Sequence, residues 1–158
     1  MKFINQKIGV FFWKLIIAFP VNFQNVLANI LFILLKSPNL KRNIFSRKNI
    51  DAAFPSLNEQ EKRKLLNENL KSMVHGIFDT GKAWFWNDSK INSLIKYEIF
   101  GLNKLTATKG NLLIFKHSHH LELDSRILGM HCELYGVERV HNSAFMQKVQ
   151  SMGRLKGL

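Results

Sequence analysis

A chain of 158 residues is long enough for one domain with a hydrophobic core. Its 46% hydrophobic and 11% aromatic content excludes a disordered chain, and its one cysteine, Cys132, excludes an internal disulfide. The formal net charge of +12 favours an anionic partner, which would be nucleic acid, an anionic bilayer or an acidic protein.

The chain begins with two strongly apolar stretches, at residues 8–19 and 26–35. The polar break between them, PVNFQN, begins at Pro20, whereas a spanning helix needs about 20 mostly apolar residues in a row. The region therefore predicts either one membrane span interrupted by proline or two shorter helices that lie in the bilayer interface. A buried core hairpin is the alternative.

Basic residues follow the apolar stretches, and the segment KSPNLKRNIFSRKN contains no acid. Each cation close to an anionic leaflet contributes about 1 kcal/mol, and this placement favours the cytoplasmic side. The cations are Lys36, Lys41, Arg42, Arg47 and Lys48. We therefore predict a membrane-associated segment at residues 1–50, with a membrane and no nucleic acid as partner.

A long amphipathic helix is predicted from Ser56 onward. The sequence SLNE indicates a capping box, with Ser56 at the cap and Glu59 three residues later. An aromatic block, AWFW at residues 83–86, closes the helix before NDS and is expected in the core. The apolar face consists of Leu66, Leu70, Met73, Val74, Ile77 and Phe78.

Alternating short apolar runs and helical patterns follow residue 110. The run LLIF at 112–115 and the run LYGVERVH at 134–141 predict strands. Residues 121–131 and 142–154 predict helices, the second capped by Asn142 or Ser143. Strand, helix, strand and helix in this order predict a βαβ unit and an α/β fold with a parallel sheet.

The segment FKHSHHLELDSR, residues 115–126, contains three histidines among acidic and basic side chains. A zinc site needs three or four ligands in a set geometry, and the pattern does not match the helical HExxH signature. We therefore predict no metal site.

The same segment supports acid–base chemistry. His117 ends a predicted strand and Glu122 begins a predicted helix, so the carboxylate could hydrogen bond to the imidazole and stabilise its protonated form. The amides at the helix start could stabilise a developing negative charge. His119 and Asp124 repeat the spacing, so spacing alone does not choose between the two pairs.

Several blocks in order resemble the late acyltransferases of lipid A biosynthesis, the lauroyl/myristoyl acyltransferase family. They are RKNIDAAFP, DTGKAWFW, HSHHLELDSRILG and VERVHNSAFMQKVQSMGR. The resemblance includes the family's His-x4-Glu/Asp motif and runs from about residue 8 to Arg154. It gives His117 and Glu122 the catalytic positions and leaves His119 and His120 at variable ones.

The resemblance implies transfer of a fatty acyl group from acyl carrier protein to the hydroxyl of a 3-hydroxyacyl chain on a Kdo-bearing lipid A precursor, without a cofactor. His117 would be the base and Glu122 would orient it. Arg126 and Arg139 would bind phosphate or the thioester oxygen, with a salt bridge as the alternative. The implied partners are the acidic carrier protein, the phosphorylated precursor and the cytoplasmic face of the inner membrane.

The implied fold has N-terminal membrane-associated helices followed by the start of a mixed or parallel sheet with flanking helices, similar to glycerolipid acyltransferases. Residues 51–158 are then expected to be an incomplete acyltransferase domain, since family members are about twice as long. Asp79 stands where the family has glutamate. Two alternatives are an inactive, truncated membrane-binding remnant and a glycerolipid acyltransferase, against which Lys116 counts because that family has asparagine there.

Overall fold

Helices form all of the regular secondary structure in a computed structural model of the chain, which describes residues 2–105 and 110–155, except for the side chains of Lys2, Phe3 and Asn5. The α-helices are α1 (Lys2–Ala18), α2 (Val21–Leu35), α3 (Lys41–Ala53), α4 (Glu59–Phe85), α5 (Asp88–Leu94), α6 (Leu121–Gly129) and α7 (Ala144–Arg154). A short 3-10 helix occupies Leu102–Lys104.

The predicted α/β fold is wrong, because no β-strand or sheet occurs in the described residues. The predicted strands at 112–115 and 134–141 have no regular secondary structure and no ladder partners among the described residues. Leu112 and Ile114 are each 89% exposed, and Val137 is fully exposed. The two helices predicted after these runs are confirmed as α6 and α7.

A strand exists only where its backbone N–H and C=O groups find partners on a neighbouring strand. Apolar runs bounded by glycine or polar residues indicate local β-propensity, which context overrides readily. Neither run finds a partner strand among the described residues, so the local propensity forms no strand and most of these side chains are exposed.

The apolar N-terminal region forms two helices, with Pro20 between them as the residue before α2. Exposed apolar side chains of α1 recur at spacings of three, four and seven, so they share one face. They are Ile4, Ile8, Phe11, Phe12 and Leu15. No helix in the described ranges combines the length and the apolar character that a bilayer crossing requires.

The chain divides into two compact units, of which one contains residues 19–78. In this unit, α2 buries Gln24 and Ala28, and the Gln24 side chain donates to the Phe19 carbonyl at 2.9 Å. Its large apolar side chains face outward along one stripe, which consists of Phe23, Val26, Ile30, Ile33 and Leu34. Helix α2 therefore presents apolar residues to its surroundings and a polar one to the interior, the reverse of the usual arrangement.

An ion-pair network joins α3 to the start of α4. Arg47 donates through Nε to Asp51 at 3.0 Å and through Nη2 to Glu59 at 2.6 Å. Lys62 pairs with Asp51 at 3.2 Å, and hydrogen bonds from Arg47 lower the pKa of Glu59. Arg47 is thus committed internally, which removes one of the five cations predicted to face a membrane.

Helix α4 starts differently from the prediction. The backbone N–H of Glu61 donates to the Asn58 side chain at 2.9 Å, and the backbone N–H of Asn58 donates to the Glu61 side chain at 2.9 Å. This reciprocal pair is a capping box, so Asn58 rather than Ser56 has the capping role. Glu59 instead binds Arg47.

The other unit comprises residues up to Ala18 and from Asp79 onward. The aromatic block at the end of α4 lies in its core, as predicted, with Trp84 7% and Trp86 3% exposed. The Trp86 indole donates to the Ile17 carbonyl at 2.9 Å. Glycine allows close packing against α4, because a Cβ on Gly153 would lie 2.5 Å from Cγ of Trp84.

Candidate functional site

His117 lies in chain without regular secondary structure just before the turn into α6, and its side chain is exposed. The carbonyl of His120 accepts the backbone N–H groups of Leu123 and Asp124, both at 3.0 Å, and starts the helix. Over residues 2–105 and 110–155 the His117 imidazole makes no hydrogen bond or ion pair.

Glu122 lies in the first turn of α6, where two residues hold its carboxylate. The Trp84 indole donates to Oε2 at 2.8 Å, and Arg154 donates through Nε to the same oxygen at 3.0 Å. Arg154 also donates through Nη2 to Oε1. A carboxylate has about four acceptor positions, so these three hydrogen bonds leave room for one more.

Arg154 connects Glu122 to a second carboxylate. Its Nη1 donates to Glu138, which also accepts from Gln147 at 2.6 Å and Gln150 at 3.2 Å. Hydrogen bonding to Glu122 is the largest of the influences that raise the pKa of Arg154. Hydrogen bonds from Gln150 and Gln147 lower the pKa of Glu138. Both carboxylates therefore face a permanently charged guanidinium.

The two arginines predicted to bind substrate lie in different surroundings. Arg126 is 6% exposed, and its guanidinium pairs with Asp88 at the start of α5. Arg126 thus forms a salt bridge, which was the alternative to phosphate or thioester binding. Arg139 is exposed in the segment before α7, which has no regular secondary structure, and no ion pair joins it to His117 or Glu122 in the described residues. The substrate-binding role of each arginine stays a prediction.

The imidazole of His120, unlike that of His117, has a carboxylate partner among the described residues. Nδ1 of His120 lies 2.6 Å from Oδ2 of Asp79, and Nζ of Lys82 donates to Oδ1 of Asp79 at 2.7 Å. Asp79 and Lys82 belong to α4, and their side chains are 17% and 9% exposed. His120, which the resemblance leaves at a variable position, therefore has a carboxylate partner in the structure.

The partners Trp84, Arg154 and Asp79 received no role from the sequence, although all three lie in the blocks that carry the family resemblance. They are 38, 32 and 41 residues away from the motif residues that they contact. Spacing within the motif identifies local pairs only, so it could not identify them.

Metal ligands do not assemble at this place. Among the described residues, no group of three or more histidine, cysteine, aspartate and glutamate side chains is arranged to hold an ion. Within the motif, Glu122 contacts Trp84 and Arg154, and His120 contacts Asp79.

The family model described as bacterial lipid A biosynthesis acyltransferase matches residues 2–157. A lipid A biosynthesis acyltransferase of Haemophilus influenzae is 34% identical over 155 residues, which cover 94% of this chain and 49% of the relative. No solved structure matches the chain.

Two relatives from Escherichia coli match shorter regions. The lipid A biosynthesis palmitoleoyltransferase is 31% identical over 73% of this chain and 39% of its own length. The lipid A biosynthesis lauroyltransferase is 34% identical over 69% of this chain and 36% of its own length. The chain thus spans half or less of the curated relatives it matches, and on these matches it belongs to the bacterial lipid A biosynthesis acyltransferase family.

Proposed function

We propose that the chain carries the acyl-transfer site of a lipid A biosynthesis acyltransferase. The donor is the thioester of an acyl carrier protein, and the acceptor is the hydroxyl of a 3-hydroxyacyl chain on a Kdo-bearing lipid A precursor. One observation carries the assignment of residues: His117 is exposed five residues before a carboxylate, Glu122, that is fixed by Trp84 and Arg154.

The reaction needs a base at the hydroxyl. His117 removes the hydroxyl proton while the oxygen attacks the thioester carbon, so a C–O ester bond forms and the C–S bond breaks. The departing thiolate then receives this proton from His117. Glu122 stabilises the imidazolium through its negative charge and its remaining acceptor position.

The partners of this reaction are anionic. Acyl carrier proteins are acidic and the lipid precursor carries phosphate, so a chain of net charge +12 attracts both. Arg126 and Arg139 are the proposed anion contacts. Arg139 is exposed and accessible, whereas Arg126 would have to exchange Asp88 for the ligand.

A membrane location suits a lipid acceptor, and we place the chain at the cytoplasmic face of the inner membrane. The outward apolar faces of α1 and α2 support this location. Short amphipathic helices with such faces lie in the interface between headgroups and acyl chains. The basic residues after α2 add electrostatic attraction to anionic lipid.

The test is an acyl-transfer assay on membranes that contain the full chain, an acyl carrier protein thioester and the lipid precursor. His117→Ala should lower the rate about 10²–10⁴-fold, the usual contribution of a general base. His119→Ala is the matched control, because His119 with Asp124 has the same spacing, and it should keep most of the rate. Equal losses for both variants, or no turnover by the unmodified chain, would contradict the proposal.

A further inference from the structure

The cluster of Asp79, Lys82 and His120 has no part in the proposed proton transfer, yet it lies next to the catalytic motif. Its distances are 2.6 Å from Asp79 to His120 and 2.7 Å from Asp79 to Lys82. The carboxylate therefore has a basic group on each of its two oxygens. Charged groups that are partly buried in this way are costly unless every charge is paired.

Burial makes the pairing necessary. The side chains of Asp79 and Lys82 are largely withdrawn from solvent, and that of His120 is 37% exposed. Asp124 is a further charged group that interacts with the His120 imidazole. Desolvation by burial raises the pKa of Asp124, His120 lowers it, and Asp79 raises it. Removal of one partner would leave a partly buried charge uncompensated, and this cost keeps the three side chains together.

His120 connects this cluster to the segment that contains His117 and Glu122. His120 is the residue before α6, three residues after His117 and two before Glu122. Helix α4 thus holds the motif at two points, through Asp79 to His120 and through Trp84 to Glu122. The His117 side chain makes no hydrogen bond, ion pair or ring contact in the described residues, so its position depends on the turn that carries it.

We propose that Asp79, held by Lys82, is a positioning residue that acts through His120 to fix the turn presenting His117 to substrate. The proposal rests on the proposed function. Asp79 contacts His120 directly, so the link from α4 reaches the residue that precedes α6.

Kinetics on the membrane-bound chain test the proposal. Asp79→Asn removes the charge without a change of shape, and His120→Leu removes the donor. Each should lower kcat roughly tenfold to a hundredfold, because small misplacement of a catalytic group has effects of this size, and KM should change less than about twofold. The double variant should be no worse than the poorer single variant, since the two residues act as one unit.

Rescue separates positioning from a general loss of structure. His120→Asn keeps a donor near the place of Nδ1 and should retain kcat within about threefold, whereas His119→Leu is the matched control in the same turn and should have little effect. Losses that multiply in the double variant, or equal losses for His120→Asn and His120→Leu, would overturn the role of Asp79.

An activity-independent measurement keeps this result distinct from failure of the proposed function. Long-range proton–nitrogen NMR of the imidazoles, on the full chain in detergent, should detect a proton on Nδ1 of His120. Asp79→Asn should shift the imidazole signals of His117 while the melting temperature changes little. Unchanged His117 signals would refute positioning even if His117→Ala is inactive. Shifted signals together with an active His117→Ala variant would refute the proposed function and leave the structural link from Asp79 to the turn in place.

Discussion

The Glu122 carboxylate receives two hydrogen bonds from one planar guanidinium, that of Arg154. Lysine carries the same charge but cannot reproduce this fork. Arg154→Lys should therefore lower kcat/KM at least about tenfold, the cost of one strong charge-assisted hydrogen bond, and Arg154→Gln should lower it further. Initial rates in the membrane assay measure both effects.

Lys148 supplies the control for this prediction. It lies on the same helix, α7, with an exposed side chain. Lys148→Gln removes one positive charge from α7 without a change at Glu122. A loss as large as that of Arg154→Gln would mean that net charge, rather than the fork, governs the rate.

The sequence identified part of this site. His117 and Glu122 stand out because both belong to one short motif, and that motif with its neighbouring blocks carries the family resemblance. The contacts of Arg154 with Glu122 and of Asp79 with His120 were not predicted, because they join residues that are 32 and 41 positions apart. One-dimensional spacing contains no information on which distant side chains a fold brings together.

Packing of α7 against α4 depends on the glycine at position 153. A Cβ on Gly153 of α7 would lie 2.5 Å from Cγ of Trp84, which cannot move without loss of its bond to Glu122. Gly153→Ala should therefore lower the free energy of unfolding by about 1–3 kcal/mol, the usual cost of overpacking. Denaturant unfolding followed by tryptophan fluorescence measures the change.

Gly9 of α1 provides the comparison, because nothing lies within 4 Å of a Cβ placed there. Gly9→Ala should stabilise the chain by up to about 1 kcal/mol through helix propensity alone. If both variants shift the unfolding midpoint in the same direction, the contact between α7 and Trp84 is looser than the structure indicates.

Prediction of the elements succeeded where a pattern is long and failed where it is short. The apolar period of α4 and the helical patterns of α6 and α7 identified those helices, with Ser143 capping α7 through the backbone N–H of Met146. The strand assignments failed because four to eight residues with β-propensity form no strand without a partner. The cap of α4 moved from Ser56 to Asn58 because a neighbouring acid, Glu61, completes the reciprocal pair.

At the scale of the molecule, α2 shows what surface the chain offers to lipid. Ile33 and Leu34 are each 69% exposed at the end of the apolar stripe, next to Lys36. Each such side chain contributes up to about 1.5–3 kcal/mol when it leaves water. Ile33→Ser/Leu34→Ser should therefore weaken binding to vesicles that contain phosphatidylglycerol at least about tenfold, as measured by sedimentation.

Asn25→Ser/Asn29→Ser is the matched control, since both residues are exposed on the same helix and are already polar. This variant should bind like the unmodified chain, and binding of both should weaken as salt screens the basic residues. Equal binding by the two double variants would mean that α2 does not enter the bilayer.

The partners of Glu122 come from both directions along the chain, Trp84 from 38 residues before it and Arg154 from 32 residues after it. A ribosome adds about 5–20 residues per second, so Glu122 exists for roughly 2 to 6 seconds before Arg154 is made. During synthesis the indole is the earlier donor, and the guanidinium arrives last. The Glu122 carboxylate therefore gains its Arg154 partner only by late, long-range folding, after α6 and most of α7 have been translated.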